Sequence, residues 1–121
     1  MKNLLSIFFR SKSGSEELGK KILAIVADIT EEVAPISQEK IQMDWYGAYD
    51  INPKHLVIWI CLKSDKTKLD LSSNESLKSR FKDILKQHQY PAEAIDSVHI
   101  GFESQETVDR ESKGNWYHHF K

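Results

Sequence analysis

The stretch that decides the fold is His55-Leu56-Val57-Ile58-Trp59-Ile60-Cys61-Leu62, which is almost continuously apolar and rich in β-branched and aromatic residues. Such a run is typical of a central β-strand. Residues 50–54 before it form a turn cluster, in which asparagine followed by proline favours a reversal of the chain. Residues 39–49 alternate apolar and polar side chains, so we predict a strand that pairs with the central one as a hairpin.

Two amphipathic helices are predicted on either side of this hairpin in the chain. Apolar residues recur at steps of three and four after Ser15, the expected N-cap, and Pro35 should stop this first helix. A second helix is predicted to begin at Ser72, where Ser72 and Glu75 form a capping-box pattern, and to end near Gln89. Both helices have one apolar stripe that must be covered.

The remaining segments complete the predicted domain. Residues 63–68 are polar and predict a loop, whereas residues 98–103 alternate and predict a third strand. Residues 116–120 predict a fourth strand, with a terminal helix as the competing interpretation. The predicted fold is a single two-layer α+β domain of order α-β-β-α-β-β, with a mostly antiparallel sheet and both helices on one face.

We expect this domain to cover residues 15–121 and residues 1–14 to form a separate apolar and basic segment. The apolar run in residues 1–14 covers only residues 4–9 and is followed by Arg10 and Lys12. It is too short for a signal peptide or for a membrane span of about 20 residues. Residues 11–14 predict a short flexible joint. Two interpretations of the segment remain open: Leu4, Ile7 and Phe8 pack onto the domain, or residues 1–12 contact a partner or a membrane surface.

Composition limits the function classes. The chain has 121 residues, of which 40% are hydrophobic and 29% charged, so it is long enough for one packed domain and unlike a disordered chain. Seventeen basic and eighteen acidic residues give a formal charge of -1, which provides no overall field for attracting nucleic acid or an anionic membrane. Cys61 is the single cysteine, which excludes an internal disulfide and predicts a protein of a reducing compartment such as the cytoplasm, with an exported protein that lacks disulfides as the alternative.

Alternation along the strands sorts the side chains into two faces. One face of the central strand carries only aliphatic residues and belongs to the core. The opposite face is polar and aromatic, which makes it the predicted recognition surface. Its members are Gln42, Asp44, Tyr46, His55, Trp59, His99 and Glu103.

The C-terminal segment, residues 103–120, adds carboxylates, an arginine, two histidines and three aromatic residues. Rigid aromatic rings beside charged groups are typical of interface hot spots. The alternative is structural: the segment folds across the polar face and buries Trp59 against Trp116 or Tyr117. The predicted binding residues are Asp44, Tyr46, Trp59, His99, Glu103, Glu106, Asp109, Arg110, Trp116 and Tyr117.

A metal site is not predicted. His118 and His119, with Glu103 or Glu106, are suitable ligand types, but adjacent histidines on a strand point in opposite directions and lack the helical spacing of known zinc motifs. No phosphate loop or nucleophile motif is present in the sequence, so no cofactor is predicted either.

Catalysis and nucleic-acid binding remain as alternatives. His99 beside Glu103 or Asp109 would form an acid/base pair for a small hydrolase-like enzyme. Cys61 is a poor candidate nucleophile, because burial in an apolar strand raises a thiol pKa. Aromatic residues on the polar face could stack the bases of single-stranded nucleic acid, but the acidic residues on the same face oppose this.

The predicted function is therefore a small, non-enzymatic protein-binding module whose acidic residues meet a basic site on the partner. In size and in single-domain build the chain is similar to small stand-alone bacterial proteins that bind another protein, including toxin-neutralising immunity proteins. This similarity of type assigns no individual residues. Nucleic acid is not an expected partner, and membrane contact is expected only through residues 1–12 if these are exposed.

Overall fold

The computed structural model describes residues 4–120, with side chains from residue 16 onward. It is a small α+β domain, as predicted. Its helices and strands are α1 Leu4–Ser37, β1 Gln42–Tyr46, β2 Val57–Leu62, α2 Asp65–Ser72, α3 Glu75–Gln87, β3 His99–Ser104, α4 Gln105–Ser112 and α5 Trp116–Phe120, with short 3-10 helices at Pro53–His55 and Ala92–Ser97.

The described strands form one three-stranded mixed sheet of order β1-β2-β3. The hairpin prediction is confirmed, because β1 pairs antiparallel with β2 and Trp45 lies opposite Ile58. The prediction of a mostly antiparallel sheet is wrong, because β3 runs parallel to β2 and Ile58 lies opposite Ile100. Two helices, α2 and α3, connect β2 to β3 and return the chain to the starting end of the sheet, which is the connection that parallel strands require.

The predicted order α-β-β-α-β-β is also wrong because it lacks two helices, α2 and α4. Residues 65–68 were expected in a loop but belong to α2, because Ser64 caps this helix by accepting a hydrogen bond from the Thr67 backbone N–H. Ser72 is the last residue of α2 rather than a cap. The following helix, α3, is capped by Asn74, whose side chain accepts from the Leu77 backbone N–H at 3.0 Å.

The C-terminal segment is helical in both of its parts. α4 follows β3 directly, and α5 replaces the predicted fourth strand, so the competing interpretation of a terminal helix is correct. Lys113 and Gly114 adopt positive φ angles and end α4. The Asn115 side chain then accepts a hydrogen bond from the His118 backbone N–H at 3.1 Å, which starts the new helical turn.

α1 is longer than predicted at both ends. It begins at Leu4, so the helix passes through Ser15 and through the expected joint at residues 11–14. Pro35 lies inside the helix rather than ending it, because a proline in the last turn removes only one backbone donor before the helix ends at Ser37. The packing of Leu4, Ile7 and Phe8 lies outside the described side chains. None of the described helices combines the length and apolarity that crossing a membrane demands.

The hydrophobic core lies on the predicted aliphatic face of the sheet. α1 and α3 both contribute to it, as expected of two helices on one face. Phe81 of α3 packs against Phe102 of β3 with ring centroids 6.1 Å apart. The prediction of two layers is incomplete, because α5 lies against the other face of the sheet through the Phe120–Trp59 contact. Fully buried core residues include Ile22, Ile25, Ile29, Val33, Leu56, Ile58, Ile60 and Leu85.

Candidate functional site

Strand register places most of the predicted polar and aromatic residues side by side on the second sheet face. Asp44 lies beside Trp59, and Tyr46 shares the next row with His99 through Val57. Glu103 occupies the same face at the far end of β3. His55, which was expected there, belongs instead to the 3-10 helix before β2.

Trp59 is the centre of an aromatic cluster on this face. Its indole N–H donates to the Tyr46 hydroxyl at 2.9 Å, and the His99 ring meets its edge with centroids 4.8 Å apart. Phe120 stacks on it at 4.8 Å with an interplanar angle of 11°. Gly101 leaves the space that this packing needs. A Cβ at this position would lie only 2.8 Å from His99 Nε2 and 2.9 Å from the Trp59 ring.

The C-terminal segment therefore folds across the second face, as one interpretation of the sequence expected, but Phe120 rather than Trp116 or Tyr117 covers Trp59. Trp116 is held further along the face, where its indole N–H donates to Gln105 Oε1 at 2.7 Å. Phe120 and Gln105 were missed as site residues. The available signal was the spacing of Trp116 and Phe120, which places both rings on one side of a short helix.

A network of polar side-chain contacts attaches the same segment to the end of β3. Glu103 Oε2 lies 2.7 Å from His119 Nε2, and its other oxygen accepts from Lys68 Nζ at 2.6 Å. His119 Nδ1 lies 3.0 Å from the Ser112 hydroxyl. Burial raises the pKa of Glu103, but hydrogen bonds from Lys68, His119 and the Ser104 backbone N–H outweigh it and leave that pKa below its ordinary value.

Ser112, His119 and Glu103 form a hydroxyl–imidazole–carboxylate chain of the type that hydrolases use. The His119 and Glu103 side chains are only 12% and 11% exposed, and Lys68 holds the carboxylate from the other side. The predicted acid/base pairs of His99 with Glu103 or Asp109 are not formed, because His99 packs on Trp59 and Glu103 pairs with His119.

α2 and α4 are bound to each other at their N-termini. The Asp65 carboxylate accepts from the Ser104 and Thr107 hydroxyls at 2.5 and 2.7 Å, and from Arg110 at 2.9 Å. In return, Glu106 Oε1 accepts from the Asp65 backbone N–H at 2.6 Å. Hydrogen bonds from Ser104, Thr107 and Arg110 hold the pKa of Asp65 well below its usual range. Arg110 is thus occupied by an internal contact.

The same arrangement occurs at the start of α2. Glu39 accepts from the Ser64 hydroxyl and from the Thr67 hydroxyl, the latter at 2.7 Å, and from the backbone N–H groups of Lys63 and Ser64. Burial raises the pKa of Glu39, but these hydrogen bonds together lower it to about 2. The repeated Ser-x-x-Thr spacing was a sequence signal for both helix starts. It was not recognised because each occurrence lies in a polar stretch.

An open groove follows β1 on the second face, and we call it the β1 groove. It consists of three cavities of about 600, 240 and 310 Å³. Trp116 lines all three, Gln42 is shared by the first and second, and Asp44 by the second and third. The lining residues are Lys40, Ile41, Gln42, Met43, Asp44, Tyr46, Cys61, Leu62, Lys63, Gln105, Glu106, Asp109, Trp116, Tyr117 and Phe120.

The charges along the groove are unevenly distributed. Lys40 and Lys63 line the first cavity together with Glu106 and Asp109. Asp44, by contrast, is the charged residue of both the second and the third cavity. Cys61 also lines the first two cavities, but burial and the nearby carboxylates raise its pKa to about 12, so its thiol is protonated at neutral pH.

The predicted site residues thus differ in whether they line the β1 groove. Trp59, His99, Glu103 and Arg110 make internal contacts that stabilise the fold. Asp44, Tyr46, Glu106, Asp109, Trp116 and Tyr117 line the β1 groove.

No group of three potential ligands among the described residues is arranged to hold a metal ion. His119 and Glu103 do lie together, but as a pair they are too few to hold a metal ion, and the second oxygen of Glu103 is bound by Lys68. Comparison of the chain with protein-family models, with curated proteins and with solved structures gave no match. The basis for a functional proposal is therefore the geometry of the β1 groove.

Proposed function

We propose that this protein is a non-enzymatic recognition domain that binds an extended segment of a partner protein in the β1 groove. The observation that carries the proposal is the position of Trp116, which lines three neighbouring cavities along one strand. A tryptophan whose N–H is already bonded within the protein offers a large, fixed apolar surface. Such residues are typical anchors of binding interfaces.

The strand beside the groove supports an extended ligand. β1 pairs with β2 on one side, and within the described chain its other edge has no strand partner. Alternate N–H and C=O groups of an edge strand point outward and can pair with an added strand. The main chain of the ligand would then bond to β1, while every second side chain enters the groove.

Charge in the groove favours a partner segment with basic residues. Asp44, Glu106 and Asp109 outnumber Lys40 and Lys63 among its lining residues. Opposite charges accelerate association and align the partners, and salt screens them. More specifically, we propose that the protein is an inhibitor or immunity-type protein, which acts in the cytoplasm by covering a basic site of its partner.

Selection from a displayed library of random peptides of about ten residues tests the proposal. We expect the wild-type protein to enrich peptides with alternating apolar and basic residues, which bind in fluorescence anisotropy with an affinity that falls as salt increases. Asp44→Lys should weaken the binding of these peptides at least about tenfold. Asp44 is exposed, so this substitution should leave the fold intact.

Asp83→Lys is the matched control. Asp83 is exposed on α3, so this substitution makes the same change of charge outside the groove. Binding to this variant should equal binding to wild type. Equal losses in both variants would show that net charge alone governs binding. Failure to enrich any peptide over an unrelated domain of similar charge would refute binding of an extended segment.

A further inference from the structure

We propose that the third cavity of the β1 groove is a binding site for a methylated ammonium group. This cavity has a volume of about 310 Å³ and is lined by four aromatic residues and one carboxylate, namely Asp44, Tyr46, Trp116, Tyr117 and Phe120. Aromatic walls with a nearby negative charge are the arrangement by which proteins recognise quaternary ammonium ligands. The inference goes beyond the proposed function, because a small cation can occupy this cavity without a peptide in the rest of the groove.

Phe120 is inclined to two of the other rings that line the cavity, so these three rings do not form one flat stack. Phe120 neighbours both Trp116 and Tyr46: its centroid is 5.6 Å from that of Trp116 at an interplanar angle of 51°. It lies 6.3 Å from that of Tyr46 at 43°. A cation in this cavity has several π-systems as neighbours, and contact with the negative face of a ring is attractive.

Tyr46, Trp116 and Phe120 are fixed by contacts with neighbouring residues. The Tyr46 hydroxyl accepts from Trp59 Nε1 at 2.9 Å, and the same Trp59 ring stacks on Phe120 at 4.8 Å. The Trp116 N–H donates to Gln105 at 2.7 Å. Walls that are already ordered lose little entropy on binding, which increases affinity. Tyr117, which is 73% exposed, forms the outermost wall.

The charge of the cavity selects a cation. Of the described residues that line it, Asp44 alone carries a charge. A primary ammonium group has three N–H donors that need acceptors, and in this cavity the side-chain acceptors are confined to the Asp44 carboxylate and the tyrosine hydroxyls, of which the Tyr46 hydroxyl already accepts from Trp59. A fully methylated ammonium group has no N–H to satisfy, and its methyl groups can contact the ring faces directly. The chemistry of the lining therefore fits a trimethylammonium group better than an unmodified lysine.

Titration with choline tests this site, with the uncharged analogue in which a tert-butyl group replaces the trimethylammonium group as the control ligand. The Trp116 indole N–H resonance in a ¹H–¹⁵N spectrum reports binding. We expect choline to shift it saturably and the uncharged analogue to shift it much less, since the two differ in charge but hardly in shape. Equal shifts with both ligands, or no saturable shift with choline, would overturn the proposal.

Two further comparisons locate the site and separate the sources of the ligand. Asp44→Asn should weaken choline binding about fivefold to tenfold, while Asp83→Asn on α3 should not change it. A short peptide with one trimethyllysine is then compared with glycerophosphocholine. Tighter binding of the peptide than of its unmethylated form indicates a modified protein, and tighter binding of glycerophosphocholine indicates a lipid headgroup. If both Asp44→Asn and Asp83→Asn bind choline like wild type, the cation does not bind in this cavity.

Discussion

His118 and His119 are neighbours in the sequence but have different environments. The His119 side chain is 12% exposed and lies between Glu103 and Ser112, whereas His118 is exposed at the surface of α5. His119 thereby attaches the last helix to the end of β3. The hydrogen bonds of a buried side chain cost free energy when they are lost, because the remaining partner is left unsatisfied.

His119→Ala should therefore lower the free energy of unfolding by about 1 to 3 kcal/mol, as Glu103 loses one of its two side-chain partners. The neighbouring substitution His118→Ala should change it by less than about 0.5 kcal/mol. Urea unfolding at neutral pH measures both values. Similar losses in the two variants would contradict a specific structural role for His119.

At the scale of elements, α2 and α4 begin in the same way. Each follows one of the two parallel strands, and each has a serine cap and a threonine whose hydroxyls bind a carboxylate from elsewhere in the chain. Glu39 serves α2, and Asp65 serves α4. A carboxylate at a helix N-terminus is stabilised by the backbone N–H groups and by the helix dipole. These contacts fix the direction of both helices where they leave the sheet.

The contribution of Glu39 to stability should depend on pH. Its pKa is lowered from an ordinary value of 4.5 to about 2 in the folded protein. A carboxyl group with a depressed folded pKa stabilises the protein above its unfolded pKa, and this stabilisation is lost as pH falls through 4.5 towards 2. Glu39→Gln should thus be less stable than wild type near neutral pH, and the difference should shrink in acid.

Urea unfolding of the two proteins between about pH 7 and about pH 2 measures this difference. Glu31→Gln, a change at an exposed position of α1, is the control and should stay close to wild type throughout. A difference between Glu39→Gln and wild type that does not vary with pH would show that the lost charge is not its cause.

For the whole molecule, the decisive features are that the two faces of the sheet are not equivalent and that β1 lies at an edge of the sheet. β2 is paired on both sides, whereas β1 is paired only with β2 in the described chain. One face carries the core helices α1 and α3, and the other carries α5 and the β1 groove. The accessible aromatic surface and the open strand edge therefore meet along β1.

Native-state hydrogen exchange should reflect this asymmetry. Amides of β2 should exchange only through global unfolding, because each neighbouring strand protects them. In β1, alternate amides point away from β2 and should exchange much faster than those that bond to it. An NMR exchange series measures both sets. Uniformly slow exchange along β1 would mean that its outer edge is covered, which would also count against the β1 groove as an open binding site.

The sequence by itself determined the elements whose signals are local. The apolar run from residue 55 to residue 62 specified the central strand, and alternation specified which side chains share each face. Helical spacing specified the apolar stripes of α1 and α3, although not the ends of these helices. These properties follow from the periods of the helix and the strand, which act between residues close in the chain.

Tertiary structure alone decided the direction of β3, the partners of the carboxylates at the starts of α2 and α4, and which of the predicted site residues line the groove. Each depends on contacts between distant segments, such as Asp65 with Ser104 or His119 with Glu103. Polar residues such as these have no single preferred partner in an unfolded chain. Their roles are fixed only when the folded backbone brings one of several chemically suitable groups within hydrogen-bonding distance.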